Sequence, residues 1–236
     1  AMEALAQRLL EEFPFITTIV NNTSRRKAQV AIGEQETVYA GPGFITEHIG
    51  KRIYRISANS FFQTNTMQAE RLYDTAKRMA QLKPDDMLFD LYCGTGTIAL
   101  HMADEVKEVV GIESVEAAVE DARRNASMNG VENCTFLLGD LKDKLTKDNS
   151  WLDRHPRPNV VIVDPPRTGM HEKVVRSVIE LQPERIVYVS CNPATQARDL
   201  KLMCQGSRYR IVDVQPVDMF PHTYHIENVI GLCRGV

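Results

Sequence analysis

Leu88-Phe89-Asp90-Leu91-Tyr92-Cys93-Gly94-Thr95-Gly96 is an apolar run that passes an acid, enters a glycine turn and opens a helix at Thr97. Glycines at 94 and 96 let the backbone approach a ligand closely, where a side chain would collide. Working outward from this stretch, the pattern alternates. Residues 87–91, 108–112, 134–138, 159–163 and 185–190 have the short apolar composition of buried strands. Residues 97–103, 115–129, 171–181 and 195–204 have helical spacing between them. Strands alternating with helices predict an α/β fold, a Rossmann-like, mostly parallel, doubly wound sheet. Residues 209–215 and 226–232 follow as two strands in succession, which predicts a terminal antiparallel hairpin.

Before the glycine turn, residues 66–82 predict a helix with Met67, Leu72, Ala76 and Met79 on its apolar face. Residues 1–56 are expected to form a small β-rich lobe, with a helix over 4–12, strands over 15–20, 28–32 and 36–39, and a turn at Gly41-Pro42-Gly43. Residues 57–236 form the main domain. Residues 142–151 are charged and expected to be exposed.

The chain has 236 residues, 43% of them hydrophobic and 25% charged, enough for one substantial α/β core and a small appendage. No apolar run approaches the roughly 20 residues that span a bilayer, so no membrane partner is expected. Glu11-Glu12 after the first apolar residues does not fit a signal peptide. The 5 cysteines (93, 134, 191, 204, 233) form no Cys-x-x-Cys pair. That argues against a disulfide framework or a metal site and for a reducing cytoplasm. A net charge of −3 carries no global sign of a nucleic-acid partner, and local clusters such as Arg25-Arg26-Lys27 or Lys51-Arg52 with Arg55 are as readily a solvated surface.

Four segments point at one sheet edge, the carboxyl ends of the strands, where open α/β sheets bind ligands. The glycine turn is the first. Only two glycines of the dinucleotide fingerprint are present, which disfavours NAD, but Glu113 ends the next strand, where a carboxylate can accept both hydroxyls of a ribose. Asp140 follows the strand after that, Tyr92 could lie against a ligand, and Asp90 could brace the loop or meet an amino group. Asp164-Pro165-Pro166-Arg167 is the second segment, a rigid polar loop beyond a strand end. The third, Tyr188-Val189-Ser190-Cys191-Asn192-Pro193, stops a strand at a cysteine. An isolated cysteine is more often a small core residue than a nucleophile. The fourth is His225-Ile226-Glu227, an acid entering an apolar strand, which must be paired, exposed or functional.

Together with Phe61-Phe62-Gln63-Thr64-Asn65 and Pro221-His222-Thr223-Tyr224, these segments resemble, in order, the RNA uracil-5 methyltransferases, which make 5-methyluridine in tRNA and 23S rRNA. The resemblance runs from about Phe61 to the end of the chain. It implies an S-adenosylmethionine (SAM) methyltransferase of class I fold, with RNA as partner, no metal, and a monomeric state. The cysteine matching Cys191 is then the nucleophile, and the glutamate matching Glu227 removes the proton. Gln63, Tyr92, Gly94, Gly96, Glu113, Asp140 and Asp164 match cofactor-binding positions, and Asp164 also faces the target uracil. Arg167, Asn192 and Phe62 are the corresponding substrate-side candidates. Many SAM enzymes acting on nucleobases have an aromatic residue where Arg167 stands, so this departure favours a target that needs positive charge. The resemblance also implies an amino-terminal oligonucleotide-binding barrel in full-length members, to which nothing here corresponds. Two alternatives stay open: an RNA cytosine-5 methyltransferase, although the sequence has no Pro-Cys dipeptide, and a non-catalytic SAM-fold module that binds RNA.

Overall fold

The computed structural model describes residues 1–24 and 33–235. The strand expected over 28–32 and the cluster Arg25-Arg26-Lys27 lie outside the described residues.

Helix α1 (Met2–Glu12) leads into a hairpin of β1 (Ile19–Thr23) and β2 (Gln35–Ala40). A second hairpin, β3 (Phe44–Ile49) with β4 (Arg52–Ser57), was not anticipated; the basic residues 51, 52 and 55 belong to its turn and second strand. Helix α2 (Thr66–Ala80) starts at Asn65, whose side chain accepts from the Gln68 N–H. It buries Ala69, Leu72, Tyr73, Ala76, Met79 and Ala80, whereas Met67 is 74% exposed. The apolar stripe therefore begins one turn later than predicted.

From there the chain runs β5 (Met87–Leu91), α3 (Thr97–Met102), β6 (Glu108–Glu113), α4 (Glu116–Met128), β7 (Cys134–Leu138), α5 (Leu141–Thr146), β8 (Val160–Val163), α6 (Glu172–Glu180), β9 (Arg185–Ser190), α7 (Pro193–Met203), β10 (Tyr209–Val217) and β11 (Glu227–Arg234). The sheet order is β10-β11-β9-β8-β5-β6-β7, with β5 through β9 parallel and β10 and β11 antiparallel to their neighbours. The order reverses beside β5, so the switch-point crevice opens between the carboxyl ends of β5 and β8.

Alternation along the strands sorts the core into two layers. Leu88, Ile162, Val187, Val189 and Val229 face α2, α3 and α4, while Phe89, Val161, Val163, Tyr188 and Leu232 face α6 and α7. Residues 142–151 depart from expectation. Leu141 and Leu145 anchor α5, and Trp151 is 3% exposed, its indole N–H donating to the Lys144 carbonyl (3.0 Å) and its ring 5.1 Å from Phe89. The charges there occupy only the outer face of a short amphipathic helix. Among the described residues no helix is long and apolar enough to cross a membrane.

The β4 edge is satisfied by side chains instead of another strand. Asn129 Oδ1 accepts from Ile53 N–H (2.9 Å), Asn125 Oδ1 from Arg55 N–H (2.7 Å) and Asp121 Oδ2 from Ser57 N–H (2.9 Å). Four residues of helix rise about 6 Å and two residues of strand about 6.7 Å, so residues 121, 125 and 129 match every second residue of β4. Asn125 also donates to the Thr95 carbonyl (3.1 Å), tying the hairpin to the glycine turn. Asn125→Leu would leave the Arg55 N–H and carbonyl, both part-buried, and the buried Thr95 carbonyl without this partner, at about 1–3 kcal/mol for a fully buried group before relaxation. A loss of about 2–4 kcal/mol is expected in denaturant unfolding, and a loss below about 0.5 kcal/mol would refute a supporting role for this ladder.

Candidate active site

Strand alternation, continued past each strand end, places Asp90, Glu113, Asp164, Cys191 and Glu227 on one face of the sheet, the face covered by α2. Asn228 pairs with Ser190 in the β9–β11 ladder, so the next step of the antiparallel register sets Cys191 across from Glu227. Val163 pairs with Leu91 and Tyr188, which brings Asp164 in between the glycine turn and the cysteine turn. Residues more than a hundred positions apart in sequence thereby converge on one crevice.

The glycine turn is held by the Tyr92 and Cys93 N–H groups donating to the Ile112 carbonyl (3.0 and 3.1 Å). Tyr92 has φ 71, a strained conformation for a non-glycine residue, and is half-buried. Gly94 and Gly96 have φ 52 and 79; a Cβ at Gly94 would meet nothing within 4 Å, while one at Gly96 would press on Phe136 at 3.0 Å. Gly94 therefore borders open space and Gly96 a packed helix–strand junction. Glu113 Oε2 accepts from the Gly94 N–H (3.1 Å), and its Oε1 from Ser114 and Val115 N–H (2.6 and 2.9 Å). Asp90 Oδ2 accepts from the Ala99 N–H (2.9 Å), bracing α3, while its buried Oδ1 has no protein partner among the described residues. Burial pushes the Asp90 carboxyl up to about 7, with the Glu113 charge adding to the shift. An orphaned acid oxygen, an open-faced glycine and a carboxylate on the next strand suit a ligand with an amino group and a ribose. Gln63 is 8% exposed in the turn before α2. Asp140 is exposed and caps α5 through the Lys142 and Asp143 N–H groups (2.9 and 3.3 Å).

Ser190 Oγ and Asn192 clasp the cysteine turn. Asn192 N–H donates to Ser190 Oγ (3.1 Å), Asn192 Oδ1 caps α7 at Ala194 N–H (3.1 Å), and Asn192 Nδ2 donates to the Arg167 carbonyl (3.0 Å). Asn192-Pro193 thus does more than end a strand: Asn at the cap and Pro in the first turn start α7. Cys191 is half-buried, and the Arg167 charge acts on its thiol. Burial, then the Glu227 and Asp164 charges, push the thiol up, and Arg167 pulls it down. Burial likewise raises Glu227 to about 7 against the pull of Arg167. Asp164 is raised well above the carboxylate range by burial, with Glu227 and Asp90 adding to it. These acids share a region where they cannot all be ionised at low cost.

Phe62 is turned inward, its ring 5.8 Å from Tyr54, whereas Phe61 is 74% exposed. Of the two rings Phe61 is the more exposed, and Phe62 is half-buried. Sequence reasoning missed the braces on α7. Gln196 donates to the Tyr188 and Asn228 carbonyls (2.9 and 3.0 Å), linking the strands that carry the thiol and Glu227. Asp199 Oδ2 accepts from Tyr188 Oη (2.7 Å) and Met170 N–H (2.8 Å), fixing the far end of the loop that begins at Asp164. In sequence, Gln196, Arg198 and Asp199 look like a solvated helix face, so no signal could have found them. A depression of about 970 Å³ beside α6 and α7, lined by His171, Arg198 and Lys201, lies on the side of α6 and α7 and contains none of these candidates.

A Rossmann-like sheet with a glycine turn after its central strand and a terminal antiparallel hairpin is the fold of the SAM-dependent methyltransferases. Residues 44–234 match the family model described as tRNA (uracil-5-)-methyltransferase, and the chain belongs to that family. It is 51% identical over 238 aligned residues to an uncharacterized RNA methyltransferase of Porphyromonas gingivalis, covering 100% of this chain and 50% of that protein. A second such protein, from Chlorobaculum tepidum, is 50% identical over 97% of this chain and 47% of its own length. The chain thus spans about half the length of the curated relatives it matches. Among solved structures, the Pyrococcus abyssi tRNA (uracil-54, C5)-methyltransferase, in complex with S-adenosyl-L-homocysteine, matches with TM-score 0.75 and 35% identity, over 94% of this chain and 52% of that one.

Proposed function

We propose that this chain methylates C5 of a uridine in structured RNA, tRNA or 23S rRNA, using SAM and a transient bond from Cys191 to C6. The observation that carries this reading is the β9–β11 register, which sets a thiol and a carboxylate across from each other beside the glycine turn. Gln63, Tyr92, Gly94, Gly96, Glu113, Asp140 and Asp164 would hold the cofactor, Asp90 Oδ1 being free for its amino group. Bound there, SAM supplies the methyl group.

The rest is the work of the chain's own residues. Uracil C5 is weakly nucleophilic until a thiolate adds to C6 and pushes electrons toward C5 and O4. Arg167 is the group whose charge favours the thiolate against burial and two acids. Once C5 carries both hydrogen and methyl, Glu227 takes that proton, the C5–C6 double bond re-forms and the sulfur leaves as thiolate. Asp164 and Asn192 line the same crevice for the target base, and the uridine must be turned out of its stack to enter. The division at residue 56 into a β-rich lobe and a catalytic domain, a cytoplasmic location and a monomeric state belong to the same proposal.

RNA incubated with this chain and methyl-labelled SAM should yield labelled 5-methyluridine on nucleoside mass spectrometry. Label in 5-methylcytidine would favour the cytosine enzyme, and RNA retention without transfer the idle module. Glu227 accepts a proton only when ionised, and its carboxyl titrates near about 7. Decay of the preformed adduct should therefore rise about tenfold per pH unit below 7 and level off above it. Decay that is flat between pH 5 and 8 would remove Glu227 as the base.

A further inference from the structure

The loop between β10 and β11 carries Tyr224, whose ring is 91% exposed. Single exposed apolar residues are ordinary on a protein surface, but this one is held in place. Its ring centroid lies 4.3 Å from that of His225 at 42°. His225 N–H donates to Thr223 Oγ1 (3.1 Å), and Thr223 N–H to the Phe220 carbonyl (2.9 Å). His225 Nδ1 meets Arg167 Nη2 at 3.3 Å, and the Arg167 charge acts on the Cys191 thiol. At the loop's start the Met219 carbonyl accepts from Asn65 Nδ2 (2.9 Å), in the segment that contains Gln63. Contacts therefore run from Arg167, whose charge acts on the nucleophile, through His225 to an aromatic ring in solvent.

We propose that Tyr224 is a stacking platform for the RNA base next to the target uridine. This rests on the uridine-methylation reading. When a uridine leaves its stack, its neighbour exposes a face to water, and an aromatic ring at the mouth of the crevice replaces the lost partner. His225 backs one side of the phenol ring, leaving the other for a base. Stacking reads the π-face and no base edge, so any of the four bases is accepted at that position.

The test uses the whole chain and an RNA hairpin with 2-aminopurine beside the uridine. Wild type and Tyr224→Phe should quench the fluorescence on binding, and Tyr224→Ala should not. Tyr224→Ala should raise KM for RNA about 5- to 150-fold, leaving kcat at saturating RNA and KM for SAM unchanged. Phe15→Ala, which removes another exposed ring (80%), should change neither. An unchanged RNA KM with intact quenching in Tyr224→Ala overturns the proposal, as does a change confined to KM for SAM. If the wild type transfers no methyl, the parent reading fails, while loss of quenching in Tyr224→Ala would still place the base on this ring.

Discussion

Cys191→Ala is expected to lower methyl transfer to less than about a ten-thousandth of the wild-type rate while leaving SAM affinity within about twofold. The separation follows from the architecture. The thiol stands after β9, whereas the glycine turn and Glu113 belong to β5 and β6, braced by their own bonds to Ile112 and Gly94. The substitution removes one sulfur from a half-buried position and leaves the clasp of Ser190 and Asn192 intact, so the fold has little reason to respond. Calorimetric titration of SAM and single-turnover methylation measure the two quantities. Turnover within tenfold of wild type would exclude a bond through Cys191, and loss of SAM binding would show that the thiol supports the cofactor site instead.

Glu227→Gln is expected to trap the protein on RNA. The amide fits the same space at a residue 8% exposed but cannot take a proton, so addition and methyl transfer proceed and elimination stalls. A denaturant-resistant RNA–protein band should accumulate to a large fraction of the active sites, where the wild type shows little. No such band, with methylation retained, would leave Glu227 without a role in release. The same variant makes a stability prediction. Glu227 titrates near about 7 in the folded chain against an ordinary 4.5, so the folded state binds the extra proton and stability falls as pH rises from about 4.5 to 7. Gln removes that penalty, and the variant should be more stable than wild type at pH 8 by up to about 3 kcal/mol.

Asp164, Cys191 and Glu227 could be picked out in the sequence because each ends or begins an apolar run, and Asp90 because it interrupts one; a polar group there has few reasons to exist. The parallel strands were legible for the same reason: buried on both faces, they are short continuous apolar runs. Elements stabilised from outside their own segment were not. The β3–β4 hairpin depends on Asp121, Asn125 and Asn129, which look like ordinary surface positions of α4. Trp151 was placed on the surface because its flanks are polar, yet Phe89 supplies the apolar contact that draws it in.

By itself the sequence determined the alternation of β5 to β9 with their main helices, the terminal hairpin and the residue types at each strand end, since these follow from local periodicity and backbone preference. Only the tertiary structure decided that Cys191 faces Glu227, that Asp164 lies between them and the glycine turn, and that Gln196 and Asp199 brace the arrangement. Register between strands and the path of each crossover are set by burial across the whole sheet, and no local stretch contains that information.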